Sequence, residues 1–305
     1  MSNRNLIICR KRLPGSLYTT FMPELPEVET IARGLNGRVA GDVIESVWLG
    51  SKPEPLKSPA REIVKSLESK RIAAVHRVGK HIVFDLEGGG KGSSAGKTSK
   101  TKPGRMPAAT SWIVHLGMTG RMLVSPPDVE VEKHTHAVVK LASGRELRFV
   151  DPRRFGRLSV SNGFQAPGCE PLEVELQRFV KLFRSRKTPI KSALLNQKLL
   201  SGVGNIYADE SLFRARIRPR RRASSLTRDE LGRLYRAVRE VLKEAIALGG
   251  SSISDYVDSD GEEGLFQLQH RVYGREAKPC MVCRTPVKRV VIAGRSAHYC
   301  PKCQK

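Results

Sequence analysis

Acidic side chains are scarce in this 305-residue chain. Thirty Asp and Glu stand against 54 Lys and Arg, a formal charge of +24 that extends along the whole length. A polyanionic partner is the first expectation, and a merely solubilising basic surface is the plain alternative. Long hydrophobic runs are missing too. Nothing approaches the roughly 18 to 20 apolar residues of a membrane span, so a soluble protein with no membrane partner is expected. Cysteine is sparse before the C-terminus: Cys9 and Cys169 stand alone, and the other four fall at Cys280, Cys283, Cys300 and Cys303. That usage excludes a disulfide framework and makes a reducing, cytoplasmic setting the default. The length and 39% hydrophobic content suit two packed domains.

Acids are absent altogether from residues 1–21, which carry Arg4, Arg10, Lys11 and Arg12 and an apolar run only from Leu6 to Cys9. This is too short for a secretory core. An organelle transit peptide is one reading; a start at Met22 is the simpler one. From Pro23 to about Arg38, Val28, Ile31 and Leu35 recur at helical spacing, with Pro26 in the first turn and Glu24, Glu27 and Glu29 at the positive end of the helix dipole. Short β-rich runs follow at 43–49, 72–75, 81–86, 112–116, 137–141, 147–150 and 158–160, and predict a sandwich. The Gly/Ser/Lys/Pro stretch 88–110 reads as a basic insertion between strands.

After the loop 161–171 the period changes from two to 3.6, which puts a domain boundary there. Helices are expected over 174–186, from Thr188-Pro189 to about Leu200, from Asn205, and from a Thr227/Glu230 capping box to Gly249-Gly250. The fold class is therefore α+β: an N-terminal β-sandwich with a flanking helix (23–160), a helical domain (172–270) and a C-terminal segment (271–305).

Cys280-x2-Cys283 and Cys300-x2-Cys303 bring four thiolates within reach of one Zn2+, with a hairpin between them turning at Ala293-Gly294. Four protein ligands leave no position for water, so the zinc is expected to be structural. The hairpin's Arg284, Lys288, Arg289 and Arg295 would face phosphates. Upstream, Gly202-Val203-Gly204-Asn205 reads either as an ordinary helical hairpin turn or as a turn whose following helix leaves N–H groups free for a phosphate.

Taken with these motifs, the run Met22-Pro23-Glu24-Leu25-Pro26-Glu27-Val28-Glu29-Thr30 makes the chain resemble the formamidopyrimidine-DNA glycosylase family, the bacterial 8-oxoguanine glycosylases. The resemblance runs from Met22 to Lys305. It includes Gly79-Lys80, the segment His115 to Gly120, the segment Asp151 to Gly156, the turn 202–209 and the four-cysteine finger.

The resemblance implies a helix-two-turns-helix DNA-binding domain and a bifunctional glycosylase/lyase that excises oxidised purines from damaged double-stranded DNA in base excision repair, as a monomer. The nucleophile is then the secondary amine of an N-terminal Pro23, which forms a cationic iminium with C1′ of the flipped nucleotide and permits β,δ-elimination. An internal Pro23 is a tertiary amide with no such lone pair. Glu24 matches the acid that protonates the sugar; its other reading, shared with Glu27, is to satisfy the helix N-terminus. Lys80 matches a phosphate grip beside the lesion, Lys191 a phosphate or lesion contact, and Asn205 and Arg295 phosphate anchors. Met118, Arg153 and Phe155 match the trio that fills the emptied stack, with His115 and Arg154 as weaker phosphate or support candidates. A lesion-capping loop falls within 259–273, where Gly261 and Gly264 suggest mobility.

The chain departs from the family in residues 1–21 and in 88–110. Two rivals follow: an endonuclease VIII-like enzyme acting on oxidised pyrimidines, and a catalytically inactive DNA-binding protein if Met1 is retained.

Overall fold

In the computed structural model, residues 22–88, 110–252 and 264–305 are described. The leader, nearly all of the basic insertion and the part of the capping loop that holds Gly261 lie outside them.

The chain opens with helix α1 (Leu25–Val39), followed by β1 (Ile44–Leu49), α2 (Ala60–Leu67), β2 (Arg71–Val78), β3 (His81–Glu87), β4 (Thr110–His115), β5 (Arg121–Ser125), β6 (Thr135–Leu141), β7 (Glu146–Val150) and β8 (Arg157–Asn162). The strands form two antiparallel sheets, ordered β1-β6-β7-β5 and β2-β3-β4-β8. Alternating side chains such as Phe84, Trp112 and Phe149 fill the space between them. Helix α1 starts with a reciprocal capping box between Glu24 and Glu27, carries a prolyl ring in its first turn, and buries Leu25, Val28, Ile31, Leu35 and Val39.

Two elements are not anticipated by the pattern. Strand β5 buries only Met122, so no alternation marks it. Helix α2 exposes Arg61, Glu62 and Lys65 and buries only Ile63 and Leu67.

The helical half contains α3 (Leu176–Arg184), α4 (Ile190–Leu194), α5 (Asn205–Arg214) and α6 (Arg228–Ala247). The second of these was expected to reach Leu200. It stops at Leu194 because Gln197 turns its amide inward: Nε2 donates to the carbonyls of Leu195 and Val203 (3.0 and 2.8 Å) while Oε1 accepts from Gly202 N–H (2.8 Å). Helix α6 begins at the Thr227/Glu230 capping box and ends where Gly249 and Gly250 take φ of +74° and +84°. Its buried face (Leu231, Leu234, Val238, Val241, Leu242) stabilises the domain by about 1.5–3 kcal/mol per side chain.

The C-terminal hairpin pairs β9 (Lys288–Ile292) with β10 (Arg295–Tyr299). Ala293 and Gly294, both at positive φ (+47° and +75°), make the tight turn that suits right-handed strand twist. One side chain spans the junction of sandwich and helices. Arg77 is 6% exposed and donates to Glu29 (2.8 Å), to both oxygens of Glu170 (2.9 and 3.0 Å) and to the carbonyl of Gly79 (3.1 Å).

Candidate active site

The sandwich, the turn into α5 and the finger hairpin enclose a cleft of about 700 Å³. Met22 and Glu24 enter it from the start of α1, Lys80 and His81 from the β2–β3 turn, and His115 and Arg157 from paired positions on β4 and β8. Asn205, Tyr273, Arg295 and Ser296 close the far side.

Glu24 is the buried carboxyl group of the cleft. It is 3% exposed and accepts from the backbone N–H groups of Ile206 (3.0 Å) and Tyr207 (3.5 Å) at the start of α5. Burial pushes its pKa up to about 7, against the opposing pull of the Lys80 charge and those two N–H groups. The N–H groups expected to be free for a phosphate are thus taken by a carboxylate. This corrects the phosphate reading of the turn, and explains its glycines. A Cβ on Gly204 would overlap the Glu24 carboxyl, and one on Gly202 (φ +92°) would sit 2.8 Å from Leu25 Cδ1.

Glu27 is fully buried and its bonds are structural: it accepts from the N–H of Glu24 (2.8 Å), the N–H of Ser251 (2.8 Å) and the Tyr207 hydroxyl. Ser251 Oγ in turn lies 3.1 Å from His270 Nε2. The chain entering α1 is therefore fastened to the helical domain by both glutamates. Tyr207, Ser251 and His270 had no sequence signal, since their roles depend on long-range packing.

Lys80 is half-buried at the turn; burial lowers its pKa while Glu24 and Glu27 raise it. His115 takes the N–H of Gly117 on Nδ1 (3.1 Å), and burial, with His81, Lys80 and Arg157 around it, drops its pKa to about 3. The ring is a neutral imidazole with its proton on Nε2, a donor and not a cation. His81, unnoticed in the sequence, packs on His115 with ring centres 4.9 Å apart.

Met118, Arg153 and Phe155 lie on two adjacent loops at the same end of the sandwich as Lys80 and His115. Phe155 is 49% exposed, and the Arg153 guanidinium lies over its ring at 4.8 Å. Asp151 orders both loops: its buried carboxylate accepts from Thr119 Oγ1 (2.5 Å), Arg153 N–H (3.2 Å) and Gly156 N–H (2.7 Å). A Cβ on Gly117 would be 2.6 Å from the Phe155 carbonyl carbon, so only glycine lets the loops touch. Arg154, at φ +56°, turns away to Glu54 (2.8 Å).

Lys191 is not where a phosphate contact would require. Its side chain is 0% exposed, paired with Asp209 (2.6 Å) and donating to the carbonyl of Ser296. The helical-domain core shields it, which corrects the expected role. Asp209 also accepts from His298 N–H (2.8 Å). Ser296 and His298 are alternate residues on the outer edge of β10, so the ion pair satisfies the edge that a third strand would otherwise cover. Asn205 Nδ2 donates to Ser296 Oγ (3.2 Å), and Arg295 stands exposed beside them at the cleft rim.

The four cysteine sulfurs lie within 4.8 Å of one another, with Cys280–Cys303 at 3.9 Å and Cys283–Cys300 at 3.4 Å. A zinc ion with Zn–S bonds of about 2.3 Å holds tetrahedral thiolates about 3.8 Å apart, so the set fits one structural zinc. Cys280 and Cys300 pack with Phe213, Val272 and Val287 in a small separate core.

A sandwich and a helix-two-turns-helix domain meeting over a basic cleft, walled by a four-cysteine finger, define a DNA repair glycosylase. Comparison with known proteins specifies which. The formamidopyrimidine-DNA glycosylase N-terminal domain matches residues 22–158, the H2TH domain of the same enzymes 167–257, and the zinc finger found in FPG and IleRS 277–305. The formamidopyrimidine-DNA glycosylase of Thermus thermophilus is 46% identical over 93% of this chain and 98% of its own, and that of Solibacter usitatus is 42% identical over 93% and 100%. The crystal structure of the Thermus thermophilus Fpg protein superposes with TM-score 0.77 (42% identity, 92% and 98% covered). The Lactococcus lactis Fpg complex with abasic-site DNA gives 0.80 (32% identity, 92% and 99% covered). The chain belongs to the formamidopyrimidine-DNA glycosylase family, base-excision-repair enzymes with glycosylase and lyase activity. Among the described residues no helix is long and apolar enough to cross a membrane.

Proposed function

We propose that the chain excises oxidised purines, 8-oxoguanine and formamidopyrimidines, from duplex DNA with Pro23 as nucleophile once the Met22–Pro23 peptide bond is gone. The observation that carries this reading is the placement of Pro23 between two cleft-lining residues, Met22 and Glu24, opposite Lys80 and Arg295. Pro23 itself is buried behind Met22. Removing residues through Met22 opens its nitrogen to the cleft, and the family domain begins at residue 22.

The steps follow from the groups present. The neutral Pro23 amine attacks C1′ as the base departs, and a carboxylic acid with a pKa near neutrality, Glu24, supplies the proton to the opening sugar. The resulting iminium draws electrons as C2′ loses a proton, and the phosphates leave by elimination at the β and then the δ position. Lys80, Arg295 and the neutral Nε2–H of His115 hold the phosphates around the flipped nucleotide. Met118, Phe155 and Arg153 enter the emptied stack, with the guanidinium on the unpaired cytosine. A cytoplasmic, nucleoid-bound location suits this substrate.

Borohydride reduction during reaction with an 8-oxoguanine:cytosine duplex tests it. A chain starting at Pro23 should give a covalent protein–DNA adduct and one retaining Met22 should give none. Adduct from both, or from neither, overturns the Pro23 assignment. Faster cleavage of a thymine-glycol duplex would overturn the purine preference.

A further inference from the structure

The stretch Leu176–Arg228 contains only two acids, Asp209 and Glu210, and both are buried, so every charged side chain it exposes is basic. Its densest part is Arg216-Ile217-Arg218-Pro219-Arg220-Arg221-Arg222. Some of these charges are engaged within the fold. Arg218 donates to the carbonyls of Gln304 and Pro301 (2.9 Å each), and Arg221 grips both oxygens of Glu230 (2.5 and 3.0 Å). Others are not. Lys187 and Arg222 are exposed and have no side-chain partner among the described residues. Arg186 and Arg220 reach only the carbonyls of Leu182 and Val291, each at 3.4 Å.

These four cations stand on a fixed backbone. Residues 186–191 and 219–224 run antiparallel, bonded from Ile190 N to Arg221 O (2.7 Å), Lys191 N to Pro219 O (3.3 Å), Ala223 N to Thr188 O (3.0 Å) and Ser224 N to Arg186 O (2.8 Å). The inner end of this ladder is Lys191, bonded to Ser296 in the cleft wall; the outer end is Arg186. Arg220 touches the hairpin at Val291, beside the cleft-lining Ile292. The ladder that carries these charges thus runs outward from the cleft wall, and arginine's planar fork suits phosphate better than a solvated lysine does.

We propose that Arg186, Lys187, Arg220 and Arg222 form a second phosphate-binding track that holds the duplex flanking the lesion, outside the catalytic cleft. The partner is the backbone of double-stranded DNA, since exposed guanidinium and ammonium groups recognise phosphate without regard to base.

The test measures binding of the full chain to two duplexes carrying a tetrahydrofuran abasic analogue, over a range of salt. One duplex only fills the cleft; the other extends about one helical turn, roughly 10 base pairs, to each side. The native chain should show a steeper salt dependence on the longer duplex. The R186Q/K187Q/R220Q/R222Q variant should lose that increment, about 0.9 in log–log slope for each phosphate contact removed, with unchanged affinity for the short duplex. The K187Q/R222Q variant, which gives up no intramolecular bond, should lose about half of it. Equal slopes for native and variant chains on the long duplex would make this a solubilising surface. Equal losses on both duplexes would assign the cations to the cleft itself. Either result overturns the proposal.

Discussion

The carboxyl group of Glu24 occupies the space that a side chain on Gly204 would need. The start of α1 is therefore seated in the N-terminus of a helix from the second domain, and the glycine is the seat. Gly204→Ala should displace Glu24 from the Ile206 and Tyr207 N–H groups. An ångström-scale misplacement costs about 10²-fold, so single-turnover base excision should fall by about that factor while zinc content stays at one per chain.

Glu24 also links stability to pH. Its pKa in the fold, about 7, lies above the ordinary 4.5, so the fold disfavours the ionised form. Its contribution is fully present below pH 4.5 and is lost as the pH rises through 7, about 3 kcal/mol in all. Urea titrations of Glu24→Gln should show a flatter stability profile between pH 4.5 and 7 than the native chain. A steeper profile would contradict the burial argument.

The buried Lys191–Asp209 pair should behave as a unit. Lys191→Met leaves an uncompensated buried carboxylate and should cost about 3–5 kcal/mol in thermal or denaturant unfolding. Adding Asp209→Asn should cost much less than a second loss of that size, because the amide oxygen still accepts from His298 N–H. Additive losses would show that the two residues act independently.

Phe155 is half exposed, so Phe155→Ala should change stability by no more than about 0.5 kcal/mol. Filling the vacated stack offsets an unstacking cost of a few kcal/mol, so excision should nevertheless drop by tens-fold or more. A 2-aminopurine reporter opposite the lesion, with unfolding measured alongside, separates the two effects.

Chelation of zinc should open the small core of Phe213, Val272 and Val287 and release the hairpin that carries Arg295. Affinity for abasic-analogue DNA should fall, while the far-UV signal of the sandwich stays. Retained affinity after complete metal loss would contradict a docking role for the finger.

The motif-bearing parts of this molecule were legible in the sequence because their constraints are local. Cysteine spacing marks the finger, Ala293-Gly294 its turn, and Thr227 with Glu230 the start of α6. What escaped depends on residues far apart in the chain. Asp151 binds Thr119 across two strands, and Asp209 reaches His298 in the finger hairpin. Lys191 is expected at a phosphate or lesion because helical periodicity cannot show that an acid eighteen residues later will bury it. The short α4 has a different cause: Gln197 bonds only within its own turn, to Leu195, Gly202 and Val203, and hydrophobic periodicity does not register a polar side chain folded onto nearby backbone.

From β2, Arg77 joins two acids that sequence keeps far apart, Glu29 of α1 and Glu170 at the link between domains, and it also holds the carbonyl of Gly79 beside Lys80. Mechanically this is a coupling rod. A rotation of the helical domain about that link would strain the Arg77 bonds to Glu170 and, through the Gly79 carbonyl, the turn that carries Lys80.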